Sequence, residues 1–167
     1  MNPLRIFDSI FKPQVAFAHC DIPCGIYDPH EAQMAAHTVI RMTSMINELK
    51  ASSDNPDFDE RKKIISQIAR LTKVKEDHAE LVKQQIRVIW GDYFKPEHLE
   101  KYKNIHDLVF KIMKQASRVR QEVNAEEAQS LLVSVQKFAQ IFWETKGRKT
   151  IRVKSGYPTE GELVLPH

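Results

Sequence analysis

Both cysteines of this chain, Cys20 and Cys24, lie close to His19 within residues 16–29, whose sequence is AFAHCDIPCGIYDP. Thiolate and imidazole groups at this spacing can bind a metal ion or take part in redox chemistry. In an exported protein the two cysteines could form a disulfide, although such a short loop constrains the unfolded chain little. In a reducing compartment they are better interpreted as thiolate ligands or as a redox couple.

The residues before His19 predict a cleavage site. Ala16, Phe17 and Ala18 form the A-x-A pattern that precedes many processing sites. Charged and polar residues interrupt the preceding segment, so it fits a Sec signal poorly. We therefore expect residues 1–18 to be a removable leader, with an ordinary N-terminal arm as the alternative.

Cleavage before His19 would assemble a compact set of metal donors. The new amine and the imidazole of His19, the amide of Cys20 and the thiolates of Cys20 and Cys24 lie within six residues. Thiolate and nitrogen donors in a plane suit nickel or copper, whereas zinc normally takes four side-chain donors. For zinc, the only side-chain donors nearby are the two cysteines with His19 or His30, so the planar set favours nickel.

Two residues of the segment suit a tight turn. Pro23 fixes φ and Gly25 permits a positive φ, which lets the chain return Cys24 to the side of Cys20. Three blocks stand in order along the chain: His19-Cys20-x-x-Pro23-Cys24-Gly25-x-Tyr27, Trp90-x-Asp92-Tyr93-Phe94-Lys95-Pro96-x-His98 and Ile141-Phe142-Trp143-Glu144-Thr145-Lys146. The first block resembles the nickel hook of the nickel superoxide dismutase family, and the two later blocks resemble that family in the same order.

The resemblance implies an enzyme that converts superoxide into dioxygen and hydrogen peroxide by cycling nickel between its divalent and trivalent states. It also implies a homohexamer of four-helix bundles. By the same resemblance, the nickel ligands are the amine of His19, the amide nitrogen and sulfur of Cys20 and the sulfur of Cys24, with the His19 imidazole added in the oxidised state. Because the amine must be free, removal of the leader by a protease becomes a maturation step.

Further site residues follow from the same resemblance. Tyr27 corresponds to a tyrosine over the open face of the nickel, and Tyr93 to a second tyrosine in contact with it. A phenol there could donate to a bound anion or a water. Asp21 corresponds to a hook position that lines the substrate pocket, where we expect a positioning role. Lys95 could attract superoxide, since a basic rim raises the on-rate of a small anion.

The sequence departs from the family at two positions. Well-known members orient the axial imidazole with a glutamate and an arginine, and these positions fall here on Ala35 and His78. Partners of a ligating histidine normally fix its orientation, so His78 or Glu80 is expected to take over this role, or His78 is an ordinary surface residue. The departure motivates an alternative function, a non-catalytic helical bundle that binds zinc or copper.

Four amphipathic helices are predicted to carry these residues. Asp28 and Asn124 are expected N-caps, a long helix is expected over residues 58–90, and Gly147 should end the last helix. Short connections between such helices indicate an all-α, up-down four-helix bundle. The predicted organisation is a leader at 1–18, a nickel superoxide dismutase domain at 19–147, made of the hook at 19–27 and the bundle at 28–147, and an extended or mobile C-terminal arm at 148–167.

Charge and composition limit the remaining options. The net charge of +3 comes from 25 basic and 22 acidic side chains, which is too balanced for a nucleic-acid surface. No apolar stretch reaches the length of a membrane span, and the poor signal together with the need for thiolates favours a cytoplasmic protein. Helical spacing and charge also predict several surface and packing positions. We expect Met34, Ile68 and Val74 to face the core, Lys73, Lys75 and Lys83 to form a solvated face, and His98 and His106 to lie at the surface or between subunits.

Overall fold

The computed structural model describes residues 24–167, and this part of the chain is mostly helical, as predicted. Within it, no helix combines the length and the apolar character needed to cross a bilayer. The elements are α1 (His30–Glu48), α2 (Phe58–Val88), a π-helical turn (Ile89–Tyr93), α3 (Pro96–Lys101), α4 (Ile105–Gln121), α5 (Ala125–Thr145), β1 (Thr150–Lys154) and β2 (Glu162–Pro166).

Polar side chains pair with amides in the first turns of α1 and α5. The Asp28 carboxylate accepts from the His30 amide at 2.8 Å, and the Asn124 side chain accepts from the Glu127 amide at 3.0 Å. These contacts satisfy amide groups that have no partner within the helix. Gly147 follows α5 with a φ of 70°, a conformation that glycine adopts without strain. The predicted cap at Asn124 and the predicted end of α5 are therefore confirmed, whereas α1 has Pro29 at its N-cap position, one residue after the predicted Asp28.

The four long helices share one apolar core, and we call them the helix bundle. α1 packs against α2 and α5, while α4 packs against the same two helices from the other side. Glu31 near the start of α1 accepts from Gln85 near the end of α2 at 2.6 Å, so these helices run antiparallel. The largest apolar side chains of the core are Phe138, Phe142, Ile86, Ile89, Ile105, Ile112, Leu131, Leu132 and Ile141.

The N-terminal half of α2 extends past the core. Phe58 is 73% exposed and Ile65 is 66% exposed, while Ile68 and Val74, which we expected to face inward, are 40% and 37% exposed. α2 has 31 residues and α4 has 17, so the start of α2 lies beyond the end of α4. The expectation for Ile68 and Val74 was wrong because helical spacing does not reveal where a neighbouring helix ends. Met34, at 43% exposure on α1, also faces outward.

Lys75 marks the point where α4 ends, and the solvated position predicted for it was wrong. Lys75 is 1% exposed. Its ammonium donates to the carbonyls of Val119, Arg120 and Glu122, at 3.3 Å for Arg120 and 2.7 Å for Glu122. The last carbonyls of a helix lack partners within it and carry partial negative charge, so the cation satisfies both needs. Burial lowers the pKa of Lys75, and the Glu76 carboxylate opposes this shift.

We expect Lys75→Met to destabilise the fold by at least about 2 kcal/mol, because it leaves buried carbonyls without a donor. Lys73→Met is the matched control. Lys73 is exposed and pairs with Asp77 within the same helix, so its loss should cost less than about 0.5 kcal/mol. Urea unfolding of both variants gives the comparison. Equal stability of the two would show that the Lys75 contacts contribute nothing.

Residues 148–167 include a β-hairpin, which corrects both the all-α prediction and the mobile arm. β1 and β2 pair antiparallel, from Thr150 opposite Pro166 to Lys154 opposite Glu162. Leu163 and Val164 of β2 are 6% and 1% exposed, and β2 packs on α5 and α1. The sequence suggested an extended segment but could not show the surface that covers it.

Buried polar side chains of the bundle hold the hairpin. The Gln33 amide donates to the Val164 carbonyl at 3.0 Å and accepts from the Val164 amide at 2.8 Å, as a neighbouring strand would. Gln136 donates to the Glu162 carbonyl at 2.7 Å, and His37 Nε2 donates to the same carbonyl at 3.1 Å. The outer edge of β2 is therefore satisfied by side chains, which ties the hairpin to the bundle.

We expect hairpin docking to weaken in acid through His37. Burial lowers the pKa of His37 below 6.5, while its bond to the Glu162 carbonyl opposes this shift. As the pH falls below 6.5, the unfolded chain takes up a proton that the folded chain resists, so the folded state loses stability. As the pH falls through this range, the unfolding free energy of the parent should decrease more steeply than that of His37→Gln. Parallel curves would contradict the prediction.

Candidate metal centre

The described part of the hook begins at Cys24. His19, Cys20 and Asp21 lie outside the described residues, so their predicted roles rest on the sequence. The Ile26 amide donates to Cys24 Sγ at 3.5 Å, and Gly25 has a φ of 73°, with no atom of the described residues within 4 Å of the place where a Cβ would lie. The positive φ expected at Gly25 is confirmed, and glycine adopts this conformation without strain.

The structure brings Tyr27 and Tyr93 together. Their ring centroids are 5.9 Å apart and the rings are tilted by 53°. Tyr27 lies just before α1, whereas Tyr93 is the last residue of the π-helical turn that follows α2. Because α1 and α2 are antiparallel, the start of one and the end of the other meet at the same end of the bundle. We call this the hook end.

Aromatic rings surround Tyr93 on several sides. Its ring centroid lies 4.8 Å from that of Phe142, 5.3 Å from that of Phe94 and 5.4 Å from that of His98, which is stacked on it. The His98 side chain is 17% exposed, and its Nδ1 accepts from the Lys95 amide at 3.2 Å. His98 is therefore half-buried in the structure, because the short helix α3 turns its ring back onto Tyr93, and the inter-subunit position that was the alternative expectation stays a prediction.

The end of α5 completes the surroundings of Tyr93. Tyr93 Oη and Thr145 Oγ1 are 2.8 Å apart. Lys146 Nζ lies 5.3 Å from the Tyr93 ring centroid and 4.9 Å from that of Phe142. A cation over aromatic faces is electrostatically favourable and adds positive charge beside the tyrosine pair. Sequence reasoning gave Thr145 and Lys146 no role, although both lie in the third similar block.

The two positions that depart from the family are occupied in other ways. Ala35 is 2% exposed within the core, and His78 Nδ1 donates to the Val74 carbonyl at 2.8 Å on its own helix. Glu80 pairs with Arg87 at 3.0 Å and with Arg120 at 2.7 Å. His78 therefore has its partner on α2, and Glu80 has partners on α2 and α4. These are the two side chains that were considered as replacements for the family's glutamate and arginine.

One polar atom near the hook has no partner among the described residues. His30 Nδ1 is buried and makes no hydrogen bond there. It lies in the first turn of α1, six residues after Cys24, where the chain leaves the hook. Burial without a partner is costly for such a nitrogen. Residues 24–167 contain no cluster of three or more histidine, cysteine, aspartate or glutamate side chains that could hold a metal by itself.

Comparison with known proteins places this geometry in context. The profile of the nickel-containing superoxide dismutases matches residues 14–146. Relatives named Superoxide dismutase [Ni], from Streptomyces coelicolor and Streptomyces seoulensis, are each 38% identical over 138 residues, which cover 82% of this chain and 95% of theirs. The β-hairpin lies beyond the matched profile.

Solved structures agree with the sequence match. The native 1.30 Å structure of nickel superoxide dismutase has a TM-score of 0.64 and 36% identity, covering 77% of this chain and 99% of that chain. A structure with nickel ligation corresponding to the oxidised state has a TM-score of 0.65 and 34% identity over the same shares. From the profile, the relatives and the fold together, this chain belongs to the nickel-containing superoxide dismutase family.

Proposed function

We propose that this protein disproportionates superoxide at a nickel ion bound by the N-terminus that cleavage before His19 creates. Two superoxide anions and two protons give one dioxygen and one hydrogen peroxide. The observation that carries the proposal is the family match over residues 14–146, which includes the complete HCDIPCGIY hook. The approach of Tyr27 to Tyr93, two residues from separate blocks, supports it.

The donor set suits nickel. We assign the amine and imidazole of His19, the amide nitrogen and sulfur of Cys20 and the sulfur of Cys24 as ligands. Anionic sulfur and deprotonated amide donors stabilise a higher oxidation state, which ordinary side-chain ligands would not do for nickel. Bound nickel would supply a one-electron couple between its divalent and trivalent states. The Ile26 amide would donate to the Cys24 thiolate, which moderates the charge on the sulfur.

The chain's own residues would control what approaches the metal. Tyr27 and Tyr93 form a pair of rings at the hook end, where they would gate access and hold a water or a substrate oxygen. Asp21 would position the hook backbone beside them. Lys95 is exposed, and Lys146 lies over the Tyr93 ring, so both cations would raise the local concentration of superoxide.

The proposed maturation and assembly follow the family. Removal of residues 1–18 by a protease would create the His19 amine, residues 19–147 would form the hook and an up-down four-helix bundle, and 148–167 would be an extension. The exposed apolar side chains Phe58 and Ile65 support assembly with further copies, and we propose a homohexamer. Thiolate ligands need a reducing compartment, which supports a cytoplasmic location without nucleic-acid or membrane partners.

Native mass spectrometry of the purified protein tests this maturation. We expect chains that begin at His19, one nickel ion for each chain and six chains in each particle. Chains that keep Met1 and carry zinc would contradict the proposal and favour the alternative, a non-catalytic bundle that binds zinc or copper. A third possibility is an exported protein with a disulfide between Cys20 and Cys24. Alkylation of the mature protein would then find no reactive thiol.

Cys20→Ser and Cys24→Ser should abolish superoxide dismutation and nickel binding while leaving the helical circular dichroism unchanged. A hydroxyl is not the soft anionic ligand that the site requires, and Cys24 is exposed outside the apolar core. Lys73→Met, far from the hook in sequence, serves as the control for expression and assay. Activity that survives either serine substitution would refute the ligand assignment.

A further inference from the structure

Near the end of α5, the Phe142 carbonyl loses the backbone donor that a continuing helix would supply. Gly147 donates to the Glu144 carbonyl at 3.1 Å, and Arg148 donates to the Trp143 carbonyl at 3.0 Å, the pattern with which a glycine commonly ends a helix. The Lys146 amide, which would serve the Phe142 carbonyl in a continuing helix, bonds to the Trp143 carbonyl at 3.1 Å instead.

Thr145 satisfies this carbonyl. Its hydroxyl donates to the Phe142 oxygen at 2.6 Å, and Phe142 is 0% exposed. A carbonyl can only accept, so the proton of this bond must come from Thr145. A threonine hydroxyl has a single proton, which leaves Oγ1 only as an acceptor toward other groups.

The direction of the neighbouring hydrogen bond then follows. Tyr93 Oη lies 2.8 Å from Thr145 Oγ1, and geometry alone allows either oxygen to be the donor. Because the Thr145 hydroxyl donates its only proton to the Phe142 carbonyl, the Tyr93 hydroxyl must donate to Thr145 Oγ1. The reversed arrangement would take the hydroxyl donor away from the buried Phe142 carbonyl, which disfavours it by at least about fivefold.

We propose that Thr145 is a positioning residue that accepts a hydrogen bond from the Tyr93 hydroxyl, so that Tyr93 presents its oxygen to the hook end only as a hydrogen-bond acceptor. The proposal rests on the proposed function of the hook end. It implies that Tyr93 binds protonated oxygen species, such as water or hydrogen peroxide, and does not donate to an anion such as superoxide. Donation to an anion is thereby left to other groups at the hook end.

Neutron diffraction from deuterated crystals of the protein tests the hydrogen-bond direction without any assay. We expect the Tyr93 deuteron on the line to Thr145 Oγ1 and the Thr145 deuteron on the line to the Phe142 oxygen. A Thr145 deuteron that points to Tyr93 would overturn the proposal. This measurement does not depend on turnover, so it stays informative if the protein lacks dismutase activity.

Azide inhibition tests the consequence in the nickel-loaded enzyme. Thr145→Val removes the acceptor and frees the Tyr93 proton to donate to an anion, so we expect about tenfold tighter inhibition by azide, equivalent to about 1.4 kcal/mol. Thr145→Ser keeps the hydroxyl and should restore the inhibition constant of the parent. Unchanged azide inhibition in Thr145→Val would overturn the proposed role.

The double variant separates a positioning role from a general structural one. If Thr145 acts through Tyr93, adding Thr145→Val to Tyr93→Phe should leave azide inhibition unchanged, because no phenol proton remains to be freed. An equal gain in azide affinity in the Tyr93→Phe background would show that the valine acts by another route and would overturn the proposal.

Discussion

Backbone groups that lose their partners at the end of a helix or at a strand edge must be satisfied, and three side chains meet this need in the structure. Lys75 serves the last carbonyls of α4, Thr145 serves the Phe142 carbonyl in α5, and Gln33 serves the edge of β2. An unpaired buried group costs more than a typical hydrogen bond contributes, so each of these contacts constrains its neighbourhood. Contacts at helix ends and at the strand edge thus determine how α2, α4, α5 and the hairpin are connected to their neighbours.

The same constraint links the fold to the proposed chemistry at the hook end. Phe142 and Tyr93 are packed ring to ring, which makes the end of α5 and the π-helical turn a single unit. His98 covers another face of Tyr93, and Lys146 adds a positive charge over the ring. A substrate oxygen approaching Tyr27 and Tyr93 would therefore meet side chains whose orientations are fixed before it arrives, as electrostatic preorganisation requires.

Sequence reasoning succeeded where local rules or a specific motif decide the outcome. Asn124 and Gly147 were identified as helix ends because capping depends on a few adjacent residues. The family was identified from the hook and two later blocks, and the comparisons confirm it. Reasoning failed for Lys75, because the end of α4, which follows much later in the chain, covers it, and helical periodicity does not contain that information.

The sequence by itself determined the helical character, the cap at Asn124, the end of the last helix at Gly147 and, through the hook motif, the family, since these depend on residue type and short spacing. Tertiary structure alone decided that residues 148–167 include a docked hairpin, that α2 extends beyond the end of α4 and that Tyr93 is hydrogen-bonded to Thr145. The reason is physical. A hydrogen-bond direction such as that of Tyr93 depends on which buried carbonyl lacks a donor, and that is known only once the helix ends and their neighbours are in place.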